Sequence, residues 1–179
     1  MKASRDGDRI VLALGGGEAL ILRWALVSLV AAYRVPPGQI DPRIAAVWYS
    51  RRGCQTAKMS EEDAGEWVRQ IHAFKSENLA LIEAWLGQLA KKPGRRIELV
   101  LTVDQAEAFV RVLNDHRLRA AAEHEIGQEE MDIRDPGPME RLGPERQTAL
   151  VEIHFFAWAI EEILRQIAPD AAGWGAGSE

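Results

Sequence analysis

Two segments of similar sequence limit the possible folds of this chain more than any other feature. The segment "RIVLALGGGEALILRWAL" at 9–26 aligns without a gap with "RIELVLTVDQAEAFVRVL" at 96–113, so equivalent positions differ by 87 throughout. Each segment opens with apolar and β-branched residues, which favour a strand, and continues with apolar residues at helical spacing. The chain is therefore predicted to contain a strand–helix unit twice, with short strands at about 9–14 and 95–102.

The glycine run Gly15–Gly17 lies where the first predicted strand meets its helix, and such runs can also bind phosphate. A phosphate-binding loop continues with Lys and Ser or Thr, and a dinucleotide-binding turn has the pattern Gly-x-Gly-x-x-Gly, but here Glu18 follows. In the second unit, Thr102 and Gln105 occupy the positions of Gly15 and Glu18 and have the spacing of a capping box. Gly15 is therefore predicted to be a helix N-cap, and no cofactor is expected.

The rest of the chain is predicted to be mainly helical. A short helix is expected after Asp41, and the longest helix is expected from Ser60 to about Leu89. Further helices are predicted from 103 to about 127 and from about 144 to 167, separated by an extended acidic loop at 128–144. The fold class is thus a mainly helical α+β domain with two short strands and four to five helices. One globular domain is expected over 1–168, followed by a flexible tail at 169–179.

Composition narrows the possible partners and compartment. The formal net charge of −5, without a cluster of Lys and Arg, argues against nucleic-acid binding. Cys54 is the single cysteine, which excludes an intramolecular disulfide and fits a reducing cytoplasm. The most apolar run, 18–33, is interrupted by Arg23 and is shorter than about 20 residues, so a buried helix is expected and not a membrane span. No His spacing typical of a metal site is present, and no metal is expected.

The repeated units differ most where the second helix becomes polar. The first unit stays apolar there, whereas the second has Asn114-Asp115-His116-Arg117. The helical spacing of the apolar residues predicts Asn114 and Arg117 near the buried face of this helix. Asp115 is expected to point elsewhere, towards arginines one turn away on the same helix. Buried polar groups need partners, and two explanations stay open. The residues form a structural network, or Asn114, Asp115 and Arg117 line a pocket that binds an anionic ligand.

The tryptophans fall into two groups. Trp24, Trp67, Trp85 and Trp158 lie on apolar helical faces and are expected in the core. The pair Trp48-Tyr49 lies in a short segment beside a basic loop. Exposed amphipathic aromatics often anchor protein partners, so this pair is a hypothetical partner-binding site.

At "FVRVLNDHRLRAAAEHEIG" the chain resembles an uncharacterised bacterial family, number 2017 of the domains of unknown function. The similar features are the core Leu113–Leu118, the earlier Asp41-Pro42, the N-terminal strand and helix, and an aromatic C-terminal helix. After Asp41-Pro42 the family usually has Arg-Leu-x-Pro, whereas this chain has 43–46 as Arg-Ile-Ala-Ala. The family also reaches a Leu-Gly sooner after the Asn-Asp core, so the chain would be a divergent member. The resemblance implies no known activity, but such proteins are often encoded beside the adaptor of the Clp protease, which suggests protein turnover.

Three classes of function are compatible with these features. The leading expectation is a cytoplasmic, non-enzymatic interaction or regulatory protein, because no assembled catalytic or cofactor motif is visible. The first alternative is a module that binds a small anionic ligand through Arg117. The second is an enzyme whose site is assembled from distant residues, with Asp115, His116 and Cys54 as candidates. A homodimer is expected because two strands alone are marginal and leave exposed edges.

Overall fold

The computed structural model describes residues 1–50, 55, 58–90, 97–133 and 136–168, apart from the side chains of Pro136 and Pro138. Cys54, the start of the second predicted strand at 95–96 and the predicted tail at 169–179 lie outside the described residues. The mainly helical α+β class is confirmed.

The sheet has three antiparallel strands in the order β1-β2-β3, namely β1 (Lys2–Asp6), β2 (Arg9–Leu14) and β3 (Ile97–Thr102). The prediction of two strands was wrong because β1 is polar and buries only Ala3. A two-residue hairpin loop at 7–8 holds β1 against β2. Gly7 has φ +59°, which is the conformation of the first central residue in a type II′ turn and which glycine adopts without a steric penalty.

The two predicted repeats pair with each other across the sheet. Leu12 and Leu99, which are equivalent in the alignment, lie directly opposite each other, and Ile10 lies opposite Leu101. Leu101 is the equivalent of Leu14, so the two strands exchange places around a local twofold axis. The helices after them begin at Gly16 and Val103, again 87 positions apart (103 − 16). Both repeats therefore form a strand followed directly by a helix.

Five helices of eleven or more residues and several shorter ones make up the rest of the described chain. In chain order these are α1 (Gly16–Tyr33), a 3₁₀ turn (Pro37–Gln39), α2 (Pro42–Trp48), α3 (Glu61–Glu77), α4 (Leu79–Leu89), α5 (Val103–Glu123), α6 (Gln128–Met131), α7 (Pro136–Glu140) and α8 (Pro144–Ile167).

The predicted helix caps are present. The Glu18 carboxylate accepts the Gly15 N–H at 2.7 Å, and Gln105 accepts the Thr102 N–H at 3.1 Å. The Thr102 hydroxyl accepts the Gln105 N–H at 3.2 Å, which completes a capping box. The glycine run thus starts a helix, as predicted.

Two helix predictions were wrong. The segment from Ser60 to Leu89 is two helices that meet at Asn78, so it is not the longest helix. The Asn78 N–H donates to Lys75 O at 3.1 Å and its side-chain amide donates to Phe74 O at 3.2 Å, which interrupts the regular ladder. The predicted extended loop at 128–144 contains α6 and α7, and α5 ends at Glu123. The Gly127 N–H donates to Glu130 at 2.9 Å, which caps α6 locally.

Helix α5 lies at the centre of the packing. It contacts α2, α8 and the sheet, and α1 packs on α4 and on α5. The buried side of α1 includes Leu22, Leu26, Leu29 and Tyr33. By length and composition alone α1 could also cross a membrane, a test that core helices pass too, and 33% of that segment is buried inside the fold.

Candidate functional site

Asp115 lies in a buried polar network that joins four helices. Its two carboxylate oxygens each accept from Lys75 Nζ at 2.6 Å, and Oδ2 also accepts from the Tyr33 hydroxyl at 2.6 Å. Its backbone carbonyl accepts from Trp48 Nε1 at 2.9 Å. The side chains of Lys75 and Asp115 are only 10% and 15% exposed. Each charge therefore depends on the other, because removal of either partner would leave a poorly hydrated charge in the core.

Aromatic rings surround the ion pair. Lys75 Nζ lies 5.2 Å from the centre of the Trp48 ring, and Tyr33 packs edge-on against that ring at 5.5 Å. The Tyr49 hydroxyl lies 3.1 Å from His72 Nδ1. Burial, followed by the negative charge of Asp115, raises the pKa of Tyr33 well above its ordinary value and that of Tyr49 to about 12. Both phenols are therefore neutral at physiological pH.

The prediction that Asp115 pairs with arginines of its own helix was wrong. Arg119 donates instead to Glu123 at 2.8 Å and to Ser28 O at 3.0 Å. Arg111 lies over the Phe74 ring at 5.4 Å. Asp115 turns inwards, away from both, because α1 and α3 supply partners for its carboxylate that the helical spacing of α5 does not show.

His116 is the second buried polar group of this helix. Its Nε2 lies 2.7 Å from Glu152 Oε1, and its ring packs edge-on against Phe156 at 4.9 Å and Trp24 at 5.8 Å. The Nδ1 atom is buried and has no hydrogen-bond partner among the described residues. His116 is 3% exposed, so this residue lies in the core, where Arg117 was predicted.

Asn114 and Arg117 do not share a buried face with Asp115. Asn114 is exposed, which contradicts its predicted place near the buried face. Arg117 is half-buried, and burial lowers the pKa of its guanidinium while Glu161 of α8 opposes this effect. The Arg117 Nε atom has no hydrogen-bond partner in the described part of the chain. The structure therefore does not bring the three predicted ligand-binding residues together in one pocket.

Trp48 and Trp24 show the reverse of the expected exposure, whereas Trp85 is buried as expected. Trp48 and Tyr49 are 4% and 5% exposed, so their burial removes the reason for placing a partner contact on them. Trp24, which was expected in the core, is 59% exposed. Trp24 lies in an apolar helix, which predicts a core position, but that helix is apolar on two sides.

An apolar groove lies between α1 and α8. One of its lining residues is Glu152, which contacts His116 of α5. Its volume is about 640 Å³, and Leu20 and Val151 on its edges are 66% and 56% exposed. The polar groups on its walls are the Thr148 hydroxyl and the Glu152 carboxylate, one oxygen of which contacts His116. The residues that line this α1–α8 groove are Leu20, Ile21, Trp24, Thr148, Val151, Glu152 and Phe155.

Comparison with known families identifies the chain's relatives. The family described as Domain of unknown function (DUF2017) has a model that matches residues 1–167. The chain belongs to this family. The resemblance seen in the sequence is thus confirmed, whereas no curated protein and no solved structure matches the chain.

In this DUF2017 member, two further features bear on chemistry. Within the described ranges, no three His, Cys, Asp or Glu side chains are placed so that they could hold a metal ion. A second cavity of about 610 Å³ opens beside Tyr49, Ser50 and Gln55, next to positions that the structure does not describe. The α1–α8 groove, by contrast, is lined only by residues that the structure describes.

Proposed function

We propose that this protein is a non-enzymatic interaction or regulatory protein that binds an apolar segment of a protein partner in the α1–α8 groove. The observation that carries this proposal is the exposure of Leu20, Trp24 and Val151 side by side on two helices. Single exposed apolar residues are ordinary, but contiguous apolar patches mark interaction surfaces. The groove volume also lies within the range of about 300–1,000 Å³ that is typical of binding sites.

The shape and chemistry of the groove favour a peptide segment. Two helices form its walls, which is the arrangement in which an amphipathic helix docks its apolar side chains. Glu152 lines the groove with a side chain that is 17% exposed and has one oxygen near His116 Nε2, and in the proposed complex its second oxygen accepts from a hydrogen-bond donor of the partner. An apolar segment with one Lys, Arg or Trp beside its apolar residues has this chemistry.

The buried polar residues support a non-enzymatic role. Asp115 and His116 were candidates for an assembled catalytic site. Asp115 accepts hydrogen bonds from Lys75 and Tyr33, and His116 contacts Glu152 within the core. These contacts are what a structural network requires. Protein turnover is the proposed context, on the basis of the family resemblance alone.

The test compares two charge substitutions on the same helix. Val151→Glu places a carboxylate in the groove, and Leu164→Glu is its matched control, since Leu164 is 45% exposed on α8 outside the groove residues. Proteins that the wild-type chain captures are identified and purified. Their affinities for the wild type and for both variants are then measured by calorimetry. We expect Val151→Glu to weaken binding at least about tenfold because it buries an unpaired charge. Equal affinity of both variants and the wild type would refute the proposal.

A further inference from the structure

A second apolar stripe runs along the exposed side of α1. It consists of Gly17, Leu20, Trp24, Val27 and Ala31, and all five residues are exposed. Their spacings of three, four, three and four residues are those of the a and d positions of a heptad, with which helices pack against other helices. The opposite side of α1 is already used by the core. This α1 stripe is therefore a helix-packing surface without a partner in the described chain.

The second repeat provides an internal comparison for this stripe. The equivalent positions of α5, each 87 further along the chain, are Asp104, Glu107, Arg111, Asn114 and Leu118. The first four are exposed and polar, as expected of a surface facing water. The strand–helix unit therefore folds with a polar surface at these positions, and the apolar residues of α1 serve another purpose.

The order of residues in the α1 stripe is nearly symmetric around Trp24. Gly17 and Ala31 are small and each lies seven positions from Trp24, and Leu20 and Val27 lie between. An antiparallel helix pair centred on Trp24 places Gly17 opposite Ala31 of the partner subunit. It also places Leu20 and Ile21 near Val27 of the partner subunit. A surface that fits itself in this way meets the requirement of a twofold interface.

We propose that a second copy of this chain covers the α1 stripe, with the two α1 helices antiparallel around a twofold axis at Trp24. The stripe extends over 14 residue steps, or about 21 Å of helix, which is long enough for a helix pair. A lipid surface is a weaker match, because membrane-surface helices carry Lys and Arg on their polar side. The other side of α1 is buried, and the net charge is −5.

Leu20 and Trp24 belong both to the groove and to the α1 stripe, so a partner segment and a second copy would compete for them, but each surface also has residues of its own. Val27 and Ala31 belong to the stripe but do not line the α1–α8 groove, whereas Val151 lines the groove and lies on α8. Val27→Glu therefore tests the dimer, and Val151→Glu tests the groove. Loss of dimerisation in Val27→Glu alone and loss of partner binding in Val151→Glu alone would separate the two proposals.

The first experiment measures the oligomeric state of the full chain by sedimentation velocity from about 1 to 100 μM. We expect a wild-type dimer, and we expect Val27→Glu to raise the dimer dissociation constant at least about 30-fold because two carboxylates enter the interface. Leu164→Glu should dimerise like the wild type. A wild-type monomer at 100 μM, or equal dissociation constants for Val27→Glu and the wild type, would overturn the proposal.

The second experiment tests the antiparallel order. In Gly17→Glu/Ala31→Lys, the antiparallel dimer gains two Glu–Lys pairs between subunits. The two positions of one chain are too far apart, about 21 Å, to pair with each other. A Cβ atom added at Gly17 would meet no heavy atom of the same chain within 4 Å, so a side chain can be introduced there without a clash at its Cβ. We expect the double variant to dimerise at least about threefold more tightly at low salt, whereas weaker dimerisation would overturn the antiparallel order because a parallel pair would oppose like charges.

Sedimentation with vesicles of phosphatidylcholine and phosphatidylglycerol at 3:1 distinguishes a lipid surface from a second copy. We expect the wild-type chain to stay in the supernatant. Sedimentation of the wild type that Val27→Glu abolishes and Leu164→Glu retains would overturn the proposal.

Discussion

The buried ion pair between Lys75 and Asp115 allows a quantitative test of what stabilises the fold. In Asp115→Asn the side chain keeps its shape, and the new amide oxygen still accepts from the Tyr33 hydroxyl. The Lys75 ammonium, however, loses the carboxylate that lies 2.6 Å away. Lys75 is 8% exposed, so water reaches it poorly. The substitution therefore leaves a buried charge without a counter-ion.

Breaking a buried ion pair by removing one partner costs about 3–5 kcal/mol. We expect the lower end, about 3 kcal/mol, because the Tyr33 hydrogen bond is retained and because Trp48 continues to contact the ammonium. Glu107→Gln on the exposed side of α5 is the control and should change the unfolding free energy by less than about 0.5 kcal/mol. A loss of about 3 kcal/mol is a large part of a typical domain's stability of 5–15 kcal/mol.

A double-mutant cycle separates the charge effect from the change in shape. Lys75→Met removes the ammonium, so adding Asp115→Asn to that variant no longer leaves an unpaired cation. We expect the cost of Asp115→Asn to fall by about 2 kcal/mol when Lys75→Met is already present. Urea unfolding at pH 7, followed by tryptophan fluorescence, measures all four free energies. A cost below about 1 kcal/mol for Asp115→Asn, or strict additivity of the two substitutions, would refute this account of the network.

Three further predictions use the same unfolding assay. Because the pKa of Tyr33 is raised in the folded state, the contribution of its neutral phenol to the free energy of unfolding is fully present below pH 10. Above pH 10 the Tyr33 phenol ionises in the unfolded chain, so this contribution is lost at up to about 1.4 kcal/mol per pH unit. Tyr33→Phe should lower the slope by that amount, and Tyr49, whose pKa is also raised, keeps its own share. An unchanged slope would contradict the buried position of this phenol. Gly7→Ala should cost about 1–2 kcal/mol because φ is +59° there, and a neutral result would exclude the left-handed turn. Thr102→Ala should cost about 1 kcal/mol through loss of the cap on Gln105 N–H, whereas Thr102→Ser should retain it.

Features that depend on neighbouring residues could be predicted from the sequence. The capping box at Thr102 and Gln105 requires only residues three apart, and the N-cap Asp41 accepts the Arg43 N–H at 2.8 Å as expected. The bounds 144–167 of the last helix were also predicted correctly, because Pro144 fits the first helical turn and apolar residues continue to Ile167. Each of these signals is contained within one element.

Features that depend on other elements could not be predicted in this way. Strand β1 has no apolar pattern and forms because Gly7 permits a tight hairpin onto β2. The helical spacing of the apolar residues of α5 predicts a buried position for Arg117, whereas the neighbouring His116 faces the core. A helix permits both positions within its 3.6-residue period, and α8 decides between them by supplying Glu152 and Phe156.

The two repeats differ on the equivalent faces of α1 and α5, but the residues that need an explanation are those of α1. At the level of sequence, Asn114 opens a polar run where the first repeat stays apolar, and Val27 at the equivalent position needs no explanation. In the structure both positions are exposed, with Val27 at 50%, so Asn114 is an ordinary surface residue and Val27 is the exception. Exposure thus reverses which residue needs a partner. This reversal moves the candidate binding surface from α5 to the outer side of α1, where Trp24 is also exposed.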